Sequence, residues 1–84
     1  MKDIRWNALK NKRLKRTRGV SFEEIIKSRI VDILEHPQKS HQKIMVYEYR
    51  GYLWAVPFVE DENGIFLKTI YPSRNLMRKY KKER

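Results

Sequence analysis

His36 and His41, Glu23 and Glu48, and the cations Arg50, Lys68 and Arg74 are the side chains whose types suit attack on a phosphodiester. Breaking an RNA strand without a metal needs three groups. A base takes the proton of the 2′-hydroxyl, a cation stabilises the pentacovalent phosphorane, and an acid protonates the leaving 5′-oxygen. Imidazole titrates near pH ~6.5 and can fill either proton-transfer role. Glu48 and Glu23 are the carboxylate alternatives. Arginine matches a phosphate with two parallel hydrogen bonds, which favours Arg50 and Arg74, with Lys68 as a point charge. Tyr47, Tyr49, Tyr52, Trp54 and Tyr71 offer rings on which unstacked bases could lie.

Each of these residues also has an ordinary reading. A histidine beside Pro37, as His36 is, is commonly a polar surface group, and His41 falls in the same polar loop. Glu23 suits a helix N-terminus, where its charge meets the dipole. Aromatic residues in strands usually pack across the sheet, which is the default for Trp54 and Phe58. Arg74 could be an ion pair with Glu48 or Glu24. The alternative for Arg74 is a phosphate at a helix start, where free N–H groups point outward.

The charge pattern is what brings nucleic acid into consideration. The chain carries 20 Lys+Arg against 10 Asp+Glu, a net +10. Residues 1–18 hold eight bases and one acid, residues 74–84 six bases and one acid, and the middle six bases and eight acids. Two basic ends therefore flank a middle of net −2. Segregation of this kind builds a local potential that attracts a polyanion. Lys10, Arg13 and Arg16 near the start and Arg78 and Lys79 near the end are the candidate RNA-binding cations. The competing reading is two solvated helix faces.

Composition bounds the rest. At 84 residues and 40% hydrophobic content, one small domain over residues 1–84 is expected. The absence of cysteine removes disulfides, zinc–thiolate sites and thiol nucleophiles. There is no His-x-x-x-His pair and no Gly-rich phosphate loop, so neither metal nor cofactor is expected. No segment approaches the ~20 apolar residues of a membrane span, and no signal-peptide run opens the chain, so no membrane association and a cytoplasmic location are expected.

The elements that must position these groups follow from local signals. Ile4–Trp6 reads as a short strand or the lead into a helix over residues 7–17, which Gly19 stops. The apolar positions of that helix are Trp6, Leu9 and Leu14. Ser21 and Glu24 have capping-box spacing, with Val20 and Ile25 placed as a hydrophobic staple, and the second helix runs to Ser28 or Arg29. Residues 30–35, 43–49, 52–59 and 65–71 read as strands, with a tight Arg50-Gly51 hairpin and an Asn63-Gly64 turn. Pro57 belongs at an edge or a bulge. Ser73 caps a final helix with an apolar stripe of Leu76, Met77 and Tyr80. The expected fold is α+β: an antiparallel meander of three to four strands, two helices before it and one after. Helices are expected on one face, with the other partly open.

This order and several of its residues resemble the BrnT family of type II toxins, which share the RelE-like ribonuclease fold. The matching residues are Trp6-Asn7, Lys10, Leu14 and Gly19-Val20-Ser21-Phe22-Glu23-Glu24, then Ile70-Tyr71-Pro72-Ser73-Arg74 before a basic helix. The resemblance implies a toxin that cleaves mRNA, on or off the ribosome, with Arg74 as the family's arginine. It further implies a cognate antitoxin protein, through which alone operator DNA would be contacted. The alternatives are a non-catalytic nucleic-acid-binding protein that uses the same basic helices, and a module that docks an acidic protein.

Overall fold

The computed structural model describes residues 3–82, and side chains through residue 80. The terminal charges Lys2, Lys81, Lys82, Glu83 and Arg84 lie outside the described side chains. The elements are β1 (Asp3–Trp6), α1 (Ala8–Arg18), α2 (Phe22–Ile26), β2 (Arg29–Glu35), β3 (Gln42–Tyr49), β4 (Tyr52–Asp61), β5 (Gly64–Leu67), β6 (Tyr71–Pro72) and α3 (Arg74–Lys82). The fold is α+β, as the sequence predicts.

Helix boundaries are set by side chains acting over three residues. Asn7 accepts the Lys10 N–H at 2.9 Å to open α1. Gly19 closes α1 at φ 75°, a conformation that suits a residue without Cβ. Ser21 Oγ accepts from Glu24 N–H while Glu24 accepts from Ser21 N–H, completing the capping box of α2. Val20 and Ile25 are both fully buried beside it. Ser73 Oγ accepts from Leu76 N–H at 3.2 Å and so caps α3. α2 is shorter than its apolar spacing suggests and ends at Ile26, because residues from Arg29 onward pair with β3.

The sheet has six strands in the order β1-β5-β4-β3-β2, with β6 also on β4. β2 to β5 form the expected antiparallel meander. The expectation of a purely antiparallel sheet is corrected at its edge, where β1 pairs parallel to β5 from Asp3↔Gly64 to Trp6↔Leu67. The physical reason is burial: Trp6 stacks on Phe22 at 5.6 Å, which holds the end of β1 against the core. The Arg50-Gly51 hairpin has positive φ at both residues (53° and 76°), matching the twist of paired strands.

The single strand expected over residues 65–71 is broken. Between the pairs Phe58↔Leu67 and Ala55↔Tyr71, two residues of β4 face three of the returning chain. Pro57 lies at this bulge. Its carbonyl accepts from Lys68 N–H at 2.8 Å, but it has no N–H to return, and the chain turns Ile70 into the core.

Helices lie on both faces of the sheet, which corrects the expectation of helices on one face alone. Met45, Tyr47, Val56, Phe58 and Leu67 cluster with Leu14, Phe22 and Ile25 of α1 and α2. The alternate positions Ile44, Val46, Leu53 and Ala55 are buried as well, facing the other way. α3 packs there, with Tyr80 donating to Asp32, whose cross-strand partner is Val46. The half-buried Leu76, Met77 and Tyr80 form its inner stripe.

α1 is attached differently. Only Leu14 is buried along it, and Leu9, expected to pack, is 74% exposed. Polar contacts do the holding. Asn11 accepts from Phe22 N–H and donates to Glu23, Lys15 pairs with Glu24, and Arg18 donates to the Ile70 carbonyl.

Candidate functional site

Arg74 is the first residue of α3 and is exposed. The backbone fixes where it stands. Ser73 N–H donates to the Leu53 carbonyl at 3.1 Å, and Leu53 is the cross-strand partner of Glu48. Two strand spacings, about 10 Å, separate the helix start from Glu48. Glu48 shares its face with α3, because Glu48, Val46 and Ile44 alternate with the core-facing Met45 and Tyr47. Arg74 makes no ion pair with a described residue. Glu48 instead faces Arg29 at 3.7 Å, and Glu24 faces Lys15. The ion pair proposed for Arg74 as its ordinary role is therefore not formed with either carboxylate.

Arg50 occupies the hairpin tip at the same end of the sheet. Its guanidinium lies 5.0 Å from the centre of the Tyr49 ring. Tyr49 in turn packs edge-on against Trp54, whose Nε1 donates to the Tyr49 carbonyl. Tyr49 and Trp54 contribute to the α1/α2 side of the core, so this aromatic group and the Glu48–Arg74 group flank the two faces of one sheet end. Tyr47, named as a stacking surface, is buried in the core, and burial pushes its hydroxyl pKa up.

Other expected site residues stand elsewhere. Lys68 lies beside Pro57, four residues along β4 from Leu53, or about 13 Å. Its ammonium sits over the Phe66 ring at 5.8 Å. His36 follows β2, at the opposite end of the strand from Arg29, so about 20 Å of sheet separates it from the Arg29–Glu48 pair. Its Nδ1 accepts from both Gln38 N–H and Lys39 N–H and organises the loop. His41 is exposed in the same loop. Glu23 is held by Asn11, which lowers its pKa, and serves the α1–α2 junction.

The candidate RNA-binding cations do not share one surface. Arg13 and Arg16 are exposed on α1, with Lys10 half-buried, on one side of the sheet. Arg78 and Lys79 are exposed on α3, on the other. Arg78 donates to Asn75 within its own helix. An open cleft of about 340 Å³ runs between α1 and α2, lined by Asn11, Lys12, Lys15, Ser21, Glu23 and Glu24. Its carboxylates already hold Lys15 and Asn11, so its net charge is small.

Arg29 is the member of the sheet-end group that sequence reasoning missed. In sequence it falls at the expected end of the second helix, and only its pairing with Glu48 across β2 and β3 shows otherwise. Among the described residues, no three His, Asp or Glu side chains group so as to hold a metal ion. No helix of the described residues is long and apolar enough to cross a membrane. No family model matches the chain, and neither a curated protein nor a solved structure shows significant similarity to it.

Proposed function

We propose that the chain is a type II toxin that cleaves mRNA without a metal, in the BrnT manner and on a RelE-like arrangement of its meander and flanking helices. The observation that carries this reading is Arg74: an exposed guanidinium in the first turn of α3, without a described ion-pair partner, on the same sheet face and end as Glu48. A phosphate there would meet the guanidinium and the free N–H groups of the helix start together. Glu48 is the proposed base, loosely held by Arg29 at 3.7 Å, and Arg50 a second phosphate contact. The basic faces of α1 and α3 would hold the flanking strand, and an antitoxin would cover the Arg74 end.

A second reading is binding of nucleic acid without cleavage. The separation of His36 from Arg74 favours it, since that sheet end then offers a carboxylate but no imidazole. The test is incubation of the purified chain with end-labelled mRNA in EDTA, with and without ribosomes. The toxin reading expects fragments ending in 2′,3′-cyclic phosphate and growth arrest on expression. Salt-sensitive binding with intact RNA under both conditions would replace it with the second reading.

A further inference from the structure

β2 is an edge strand, and its outer side is chemically exposed. Three of the five large apolar side chains left exposed among the described residues lie in it: Ile30 at 47%, Val31 at 39% and Ile33 at 54%. It contains no lysine and no proline. An unprotected edge of this kind is a template for another strand. His36 N–H donates to the Gln42 carbonyl of the neighbouring strand β3, so by alternation Leu34 and Asp32 point their backbone groups inward to β3, and Ile33 and Glu35 point theirs outward. The Ile33 N–H is nonetheless taken. Asp32 Oδ1 accepts it at 2.7 Å, and Asp32 Oδ2 accepts the Tyr80 hydroxyl of α3 at 2.6 Å. The carboxylate is thus pinned across the edge by the helix on the sheet's second face. A bulge at Val31, where Ile30 pairs with Tyr47 and Asp32 with Val46, kinks the strand beside it.

We propose that Asp32 is an edge guard: by holding the Ile33 N–H and the Tyr80 hydroxyl, it keeps β2 from pairing with the β2 of a second copy of this chain. The second copy is the occupant because the edge is self-complementary about Ile33. An antiparallel two-fold there sets Ile33 against its counterpart, with the outward N–H and C=O groups of each meeting the other. Leu34 meets Asp32, and Glu35 meets the bulged Val31, so no two like charges oppose each other. On one face, Ile30 and Ile33 of both copies would form a continuous apolar row. That register needs the Ile33 N–H free, and Asp32 withholds it. The wild-type chain is accordingly a monomer at this edge.

The experiment is sedimentation velocity of the full chain from about 10 to about 500 µM, with folding checked by circular dichroism. Wild type and Asp32→Asn, whose amide oxygen still accepts the Ile33 N–H while its NH2 donates to the Tyr80 hydroxyl oxygen, are expected to stay monomeric. Asp32→Ala and Asp32→Val are expected to dimerise, with a dissociation constant at least about tenfold lower than wild type. Adding Ile33→Lys to either is expected to restore the monomer. In wild type, the Ile33 amide is expected to exchange with deuterium about tenfold more slowly than the outward Glu35 amide, a readout that needs no variant to fold. Folded, monomeric Asp32→Ala and Asp32→Val proteins would overturn the proposal. So would a dimer that survives Ile33→Lys, a wild-type dimer that Ile33→Lys breaks, or equal exchange at Ile33 and Glu35.

Discussion

Trp6 of β1 stacks on Phe22 of α2, with ring centres 5.6 Å apart and planes inclined by 24°. This contact ties the parallel edge strand to the capped helix, and Phe22 is fully buried beneath it. Phe22→Ala removes the ring from the centre of the core and strips Trp6 of its partner. A loss of about 3–5 kcal/mol is expected in urea unfolding monitored by tryptophan fluorescence. Phe22→Leu, which keeps most of the volume, is expected to lose less than half as much.

Glu24 carries the acid sensitivity of the α1–α2 junction. Its hydrogen bonds from Lys15, with the Ser21 N–H next in weight, lower its pKa from 4.5 to about 2. A carboxylate with a depressed folded-state pKa contributes stability that is complete above its unfolded pKa. That contribution is lost as pH falls through the folded value. The wild-type chain should therefore lose stability between pH 4.5 and about 2, and Glu24→Gln should flatten that part of the profile. Denaturant midpoints measured at several pH values check it. Identical slopes in the two proteins would remove Glu24 from the account.

Arg74→Ala is expected to lower RNA cleavage by roughly two to three orders of magnitude, the range seen when one preorganised donor to a developing anion is removed. The melting temperature should hardly move, because the side chain is exposed and makes no ion pair among the described residues. Arg13→Ala on α1 serves as the comparison. It should weaken RNA binding and reduce the salt slope by about one while leaving the single-turnover rate unchanged. Equal loss of turnover in both variants would make Arg74 one charge of a diffuse basic surface.

Gly64 opens β5 at φ 146°, opposite Asp3 of β1. A Cβ there would sit 2.1 Å from the Asp3 carbonyl oxygen. Gly64→Ala must therefore push β1 from the sheet as well as strain the backbone. A destabilisation of about 1–3 kcal/mol or more is expected, with early loss of amide protection over Asp3–Trp6 in hydrogen exchange. Gly51→Ala, also at positive φ but with open space around it, should cost only the backbone strain, about 1 kcal/mol.

What the sequence determined by itself acts over a few residues. Asn7, Ser21 and Ser73 each place an acceptor three residues before an otherwise unpaired N–H, and Arg50-Gly51 accepts the positive φ of a tight turn. The helix starts, the β3–β4 hairpin and the position of Arg74 at the head of α3 were therefore legible. Partners and faces were not. β1 joins β5 across some 60 positions because Trp6 finds Phe22, and α3 crosses to the second face because Val46, Ala55 and Leu53 must also be buried there. The candidate site divides along the same line. Glu48 and Arg74 come to one sheet end through the register of Leu53. His36, equally suitable in chemistry, is carried to the other end by the length of β2. The α1 and α3 cations separate because a sheet stands between them. Such outcomes depend on which distant strands pair and in what register, and no spacing within a single segment encodes that.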